Sequence, residues 1–140
     1  MAFQPLYTAV ATAHGGRAGH VESDDGLIAM ALAMPTSLGG PGGKGTNPEQ
    51  LFAAGYSACF ESALLLAARR QKVQVKDVAI TAQVTIGKAD DGGFGLSVEL
   101  HGKLDGLEKP AAQALMEAAH QVCPYSRATR GNIPVKLVVD

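Results

Sequence analysis

The sequence has no excess of charge of either sign, since 12 basic residues stand against 13 acidic ones for a net charge of -1. A chain so balanced offers no broad field for gathering phosphate backbones or anionic lipid, which argues against nucleic acid and membrane surfaces as partners. Long hydrophobic runs are also missing. Even the richest segment is interrupted by Ser57, Glu61 and Ser62, well short of the roughly 20 apolar residues that span a bilayer. The opening Met1-Ala2-Phe3-Gln4-Pro5 has neither a basic stretch nor an apolar run, and the first positive charge is Arg17. No secretory signal is expected, and the chain reads as cytoplasmic. Cysteine is scarce. The two present, Cys59 and Cys123, come without Cys-x-x-Cys or His-x-x-x-His spacing, so no metal site is expected. In a reducing compartment a cysteine pair seldom serves as a permanent staple, which leaves inert core packing or redox chemistry.

What is there suits one core. The chain has 140 residues, 46% of them hydrophobic, enough for a single domain over 1–140 and too few for two comfortable ones. Residues 6–13 alternate apolar and small polar side chains and end in His14-Gly15-Gly16, so a strand enters a tight turn and Arg17 opens the return strand. Asp24-Asp25-Gly26 carries hairpin turn chemistry before a third strand over 27–33. Residues 37–46 are glycine-rich, yet Gly43-Lys44 is followed by Gly45 and Leu38 stands where a leading glycine belongs, so this is no phosphate-binding loop. Asn47-Pro48-Glu49-Gln50 is a dense helix start with Asn47 as cap. The helix it opens is apolar or small on nearly every face over 51–68, with Gly55 as a point where it could break. Strands over 75–86 and 94–101 form a hairpin, a helix runs from Pro110 until Pro124 stops it, and 133–139 closes the chain as a strand. The fold class is α+β with antiparallel pairing. A helix apolar all round is hard to cover with so little chain, so a homodimer with a large interface is expected.

The chemistry turns on whether Cys59 can ionise. It lies 12 residues after Asn47, about 18 Å along an unbroken helix and beyond the reach of the N-terminal dipole. A break at Gly55 would place it near the first turn of a new helix instead, where backbone amides help. Burial makes ionisation harder, so a cation that survives desolvation is required. Arg17 in Gly15-Gly16-Arg17-Ala18-Gly19 is the candidate, because its guanidinium stays charged when buried and its glycines allow close approach. Glu49 can orient that guanidinium through a bidentate carboxylate. The ordinary alternatives are a surface turn arginine and a first-turn acid favoured by the helix dipole.

Taken together, Gly15-Gly16-Arg17-Ala18-Gly19, the run from Gly45-Thr46-Asn47-Pro48-Glu49-Gln50 through Gly55-Tyr56 to Ala58-Cys59-Phe60, and Cys123-Pro124-Tyr125-Ser126 with Arg130-Gly131-Asn132 make a pattern that resembles the organic hydroperoxide resistance proteins, the Ohr branch of the Ohr/OsmC superfamily. The resemblance runs nearly end to end. It implies an OsmC-like fold, with antiparallel sheets wrapped around central buried helices in an intertwined homodimer whose active sites lie at the subunit interface. It implies that Cys59 is the peroxidatic cysteine, Cys123 the resolving one, and Arg17 with Glu49 the activating pair. It further implies reduction of organic hydroperoxides through a Cys59 sulfenic acid and a Cys59–Cys123 disulfide, with no bound cofactor and with an external dithiol, lipoyl groups on a carrier protein, as reductant. Leu51, Phe52, Phe60 and Met34 are expected to line an alkyl pocket. The rival readings are a non-catalytic small-molecule binding module with inert cysteines and a thiol-disulfide oxidoreductase.

Overall fold

A computed structural model describes residues 3–140. Contacts within the chain fall into two compact units, one up to Pro48 and one from Glu49 to Asp140. The first is a three-stranded antiparallel meander of β1 (Ala11–His14), β2 (His20–Ser23) and β3 (Ala29–Ala31), in that order across the sheet. Strand β1 starts only at Ala11, which faces Ser23, whereas alternation alone had pointed to a strand from residue 6. Leu6 and Tyr7 are exposed and have no neighbouring strand among the described residues to close a ladder, and periodicity cannot make a strand without a partner. Arg17 is also placed differently from the expectation. It does not open β2 but sits on a 3-10 turn, Gly16–Ala18, because Gly15 and Gly16 both take left-handed backbone, φ 79° and 60°, and spend two residues reversing the chain. The second reversal follows its turn chemistry: Gly26 is left-handed, and the Asp25 carboxylate accepts from the Ser23 hydroxyl and the Leu27 N–H.

In the second unit, helix α1 (Pro48–Gln71) starts at the proline and runs 24 residues without interruption. Gly55 therefore does not break it. Tyr56, Phe60, Ala63, Leu64 and Ala67 recur at three- and four-residue intervals and are buried in one stripe. By length and composition α1 could cross a membrane, with a mean hydropathy of 1.5 over an 18-residue window; core helices share this property, and its inner stripe is covered by protein. The opposite stripe of Ala54, Ala58, Ser62 and Leu65 is exposed. Strands β4 (Asp77–Lys88) and β5 (Phe94–Asp105) pair as a 12-residue antiparallel hairpin, and β6 (Val135–Val139) lies beside β5. This last pair is parallel, a departure from purely antiparallel pairing. The connection from β5 to β6 runs through helices α2 (Lys109–Val122) and α3 (Pro124–Thr129), and such a crossover returns the chain in the same direction. Cys123 alone separates these helices, so Pro124 ends one helix and opens another.

The core lies between this sheet and its helices. Val98, Leu100 and Leu104 on β5 pack with Tyr56, Phe60 and Leu64 on α1 and with Leu115, Met116 and Ala119 on α2. Each large side chain sealed there is worth about 1.5–3 kcal/mol. Gly102 permits the closeness of α2, since a Cβ at that position would come within 2.5 Å of Met116 Sδ.

On the wet face of the sheet, His101 lies between two carboxylates. Its Nδ1 is 3.0 Å from Asp140 and its Nε2 3.0 Å from Glu99. Both acceptors are served only by the imidazolium, and the hydrogen bonds to Asp140 and then Glu99 raise the His101 pKa above its ordinary value. A raised folded-state pKa means that the stabilisation is complete below about pH 6.5, the unfolded value, and is lost as pH rises through the folded one. Thermal melts of the wild type should therefore contain a component that is complete below about pH 6.5 and declines as pH is raised above it. In His101→Ala that component should be absent.

Candidate active site

The two cysteines, 64 residues apart in the chain, are brought together: the Cys123 thiol points at Cys59 with 3.4 Å between the sulfurs. Both are free thiols. A disulfide bond is about 2.05 Å long, so side-chain rotation closing roughly 1.4 Å would join them. Cys59 projects from the middle of α1 and is half-buried, whereas Cys123 is sealed in the core. The position of Cys123 follows from local sequence. It caps the end of α2, where its N–H bonds to Ala119 O, and opens α3, where its carbonyl accepts from the Arg127 N–H. Its extended backbone, φ -63° and ψ 124°, forms the elbow between the helices, as expected for a residue before proline.

Continuity of α1 settles one question about activation. Cys59 is far from the helix start, so the macrodipole of its own helix does not reach it. Burial is the main influence on this thiol and raises its pKa. The Tyr125 backbone N–H, at the start of α3, opposes that by hydrogen bonding to the sulfur. The adjacent Cys123 adds to the rise. The balance leaves Cys59 above its ordinary value, and a thiolate there needs positive charge beyond what these neighbours provide.

Of the other two residues singled out in the sequence, Arg17 is half-buried on the 3-10 turn of the first unit. Glu49 is half-buried in the first turn of α1. It lies ten residues before Cys59 on a continuous helix, about 15 Å along the axis, and so does not touch the sulfur. Phe60, expected in an alkyl pocket, belongs instead to the sealed core, and Phe52 packs against the Tyr56 and Tyr125 rings at 6.1 and 6.4 Å between centroids. The open space beside the sulfur is a different one. A cleft of about 380 Å³ is lined by Cys59, Ser62, Ala63, Leu66, Val122 and Pro124. Helical spacing from Cys59 would have found Ser62, Ala63 and Leu66, at intervals of three, four and seven residues. Val122 and Pro124 join them only because Cys123 does.

Gly55 has a role here that its conformation does not reveal. The Tyr125 ring lies against it so closely that a Cβ would stand 3.0 Å from the phenol oxygen and 3.1 Å from Cε2. In an exposed helix Gly→Ala gains about 1 kcal/mol of propensity. Here the alanine would push against Tyr125, and overpacking costs about 1–3 kcal/mol. Urea unfolding of Gly55→Ala should therefore give a stability at or below that of wild type, with the displacement of Tyr125 visible as a slower Cys59 alkylation rate.

The chain matches the family described as OsmC-like protein over residues 40–138. It is 52% identical over 135 residues to the organic hydroperoxide resistance protein of Xanthomonas axonopodis pv. citri, covering 96% of this chain and 94% of that one. It is 50% identical over 133 residues to organic hydroperoxide resistance protein OhrB of Bacillus subtilis, covering 94% of this chain and 96% of that one. Among solved structures, a Legionella pneumophila organic hydroperoxide resistance protein superposes with a TM-score of 0.92 at 55% identity, covering 98% of this chain and 99% of that one.

Proposed function

The chain belongs to the OsmC-like protein family, and from that premise we propose that it is a cysteine-based peroxidase that reduces organic hydroperoxides, with Cys59 as the attacking thiolate and Cys123 as the thiol that resolves it. The observation that carries this reading is the 3.4 Å approach of the two reduced sulfurs. Two inert core cysteines, as in a binding module, have no need to meet. The names of the Xanthomonas and Bacillus relatives support hydroperoxides as the substrate class.

The cycle balances in three steps. The Cys59 thiolate attacks the peroxide oxygen distal to the organic group; the O–O bond breaks, the alkoxide leaves and takes a proton to become the alcohol, and Cys59 becomes a sulfenic acid. The Cys123 sulfur then attacks the sulfenic sulfur, forming the disulfide and releasing water. An external dithiol reduces the disulfide and is itself oxidised to a disulfide; lipoyl groups on a carrier protein fill this role in the proposal.

Arg17 supplies the positive charge that the immediate neighbours of Cys59 lack, and Glu49 orients its guanidinium. One desolvated and oriented guanidinium can offset the rise that burial imposes on the thiol and hold it ionised. The same charge stabilises the oxygens as the O–O bond breaks. The apolar lining of the cleft beside Cys59, Leu66 and Val122 above all, suits an alkyl group better than hydrogen peroxide. A second copy of the chain covering the exposed stripe of Ala54, Ala58 and Leu65 accounts for a helix that is apolar all round. The activity is placed in the cytoplasm, where dithiol reductants keep the pair cycling.

Three variants test the assignment. Cys59→Ser should lose peroxide reduction entirely. Arg17→Ala should lose roughly 10²–10³-fold in kcat/KM, the size seen when one charge-stabilising donor is removed. Cys123→Ser should consume one equivalent of hydroperoxide and then stall as the sulfenic acid or overoxidise; sustained turnover with a lipoyl dithiol would remove Cys123 from the cycle. Comparing cumene hydroperoxide with hydrogen peroxide as substrates checks the cleft. Equal efficiency on both would count against an alkyl site, and activity on disulfides without peroxide would favour a thiol-disulfide oxidoreductase.

A further inference from the structure

Behind Cys123 lies a polar chain that the peroxidase cycle does not use. Tyr56 Oη is 2.8 Å from Ser126 Oγ and 3.0 Å from Thr129 Oγ1, and His120 Nδ1 is 2.7 Å from Ser126 Oγ. Tyr56 and Ser126 are wholly inaccessible, and Thr129 is nearly so. Buried hydroxyls that share partners in this way are expensive to assemble unless each is satisfied. The placement of the chain is specific. His120 lies three residues before Cys123 on α2 and Ser126 three residues after it on α3, so their bond spans the elbow. Arg130 draws a second tie across the same elbow by donating to the His120 carbonyl. Tyr56 lies one helical turn before Cys59 on α1, so its hydroxyl fastens that elbow to the helix carrying the partner sulfur.

The protons in this chain can be assigned. Thr129 donates its hydroxyl proton to the Ser126 carbonyl at 3.2 Å. Each hydroxyl has one proton, so the contact between Tyr56 and Thr129 requires Tyr56 to donate. The contact between Ser126 and Tyr56 then takes the Ser126 proton, and the last contact requires His120 to donate from Nδ1. Every contact is satisfied together only in this arrangement. It calls for a proton on Nδ1, which the imidazolium and the Nδ1–H tautomer of the neutral ring both carry. Burial first, and then the Arg130 cation, push the His120 pKa below its ordinary value, in keeping with that neutral form.

We infer that Thr129, Tyr56, Ser126 and His120 form a positioning apparatus that holds the elbow so that Cys123 faces Cys59, and thereby set the rate and equilibrium of disulfide closure more than the rate of peroxide attack. None of the four needs to touch substrate. The inference rests on the reading of Cys123 as the resolving thiol, and two arms separate its failure from a failure of that reading.

In the first arm, reduced wild type, Ser126→Ala, Tyr56→Phe, His120→Leu and His120→Asn are equilibrated in glutathione redox buffers, and the Cys59–Cys123 disulfide is quantified by alkylation and mass. Losing one buried hydrogen bond in His120→Leu should lower the effective concentration of Cys123 toward Cys59 about tenfold, and losing two in Ser126→Ala or Tyr56→Phe should lower it at least as far. His120→Asn, which keeps an N–H donor near the Nδ1 position, should hold the wild-type value. His120 is half-exposed, so its pair of variants reads out even if substitution at the sealed Ser126 impairs folding. Nitrogen NMR of the wild-type ring should report the Nδ1–H tautomer. Wild-type closure in Tyr56→Phe and His120→Leu, or equal loss in His120→Asn and His120→Leu, overturns the inference. In the second arm, single turnover with cumene hydroperoxide should show attack by Cys59 slowed far less than closure. A wild type that closes its disulfide in glutathione but not with hydroperoxide would refute the peroxidase reading and leave the positioning apparatus standing.

Discussion

The approach of two sulfurs to 3.4 Å is the contact on which the rest of the second unit depends. Neither cysteine can reach the other by local geometry. One projects from the centre of a 24-residue helix and the other from a one-residue elbow between two shorter helices. Bringing them together requires α1 and α2 to pack on the same sheet, which Gly102 assists by letting α2 sit close to β5. It also requires the elbow to be held in one conformation, which the backbone bonds of Cys123 and the polar chain behind it provide. Close packing makes such a site definite, because a core at native density does not deform continuously.

Burial that makes the contact definite also works against its chemistry. Removal of water, reinforced by the neighbouring Cys123, raises the Cys59 pKa against the opposing N–H of Tyr125. In the proposed cycle a thiolate in this setting demands a fixed cation, a role assigned there to an arginine because a lysine would tend to surrender its proton. Low dielectric has the opposite effect on the same interaction once it forms, since a guanidinium facing a thiolate is worth more there than in water. A site hostile to an isolated charge thus favours a paired one.

Much of this was legible in the sequence where the signals are local. Asn47-Pro48 marked the start of α1, the alternation over residues 75–86 and 94–101 marked the long hairpin, and Asp24-Asp25-Gly26 marked the turn between β2 and β3. Local signals misled where the outcome depended on a distant partner. Residues 6–10 alternate but have no strand beside them among the described residues, and Arg17 was read as the start of a strand because the two left-handed glycines before it could not be seen as a 3-10 turn. The hydroxyl chain of Tyr56, Ser126 and Thr129 left no signature, because three common residues separated by as many as 73 positions form no motif.

By itself, the sequence determined the types of the longer elements, the apolar character of the central helix and the two cysteines as the residues able to carry redox chemistry. Capping, alternation and thiol chemistry are properties of residues and near neighbours, so they survive without a fold. Only the tertiary structure decided that α1 passes unbroken through Gly55, where the packing of Tyr125 occupies the space of the missing side chain. It likewise decided that β6 runs parallel to β5, and that Cys123 meets Cys59 across 64 residues of chain. Each of these depends on contacts whose entropic cost of closure is met by the core as a whole, and no single stretch of residues contains that sum.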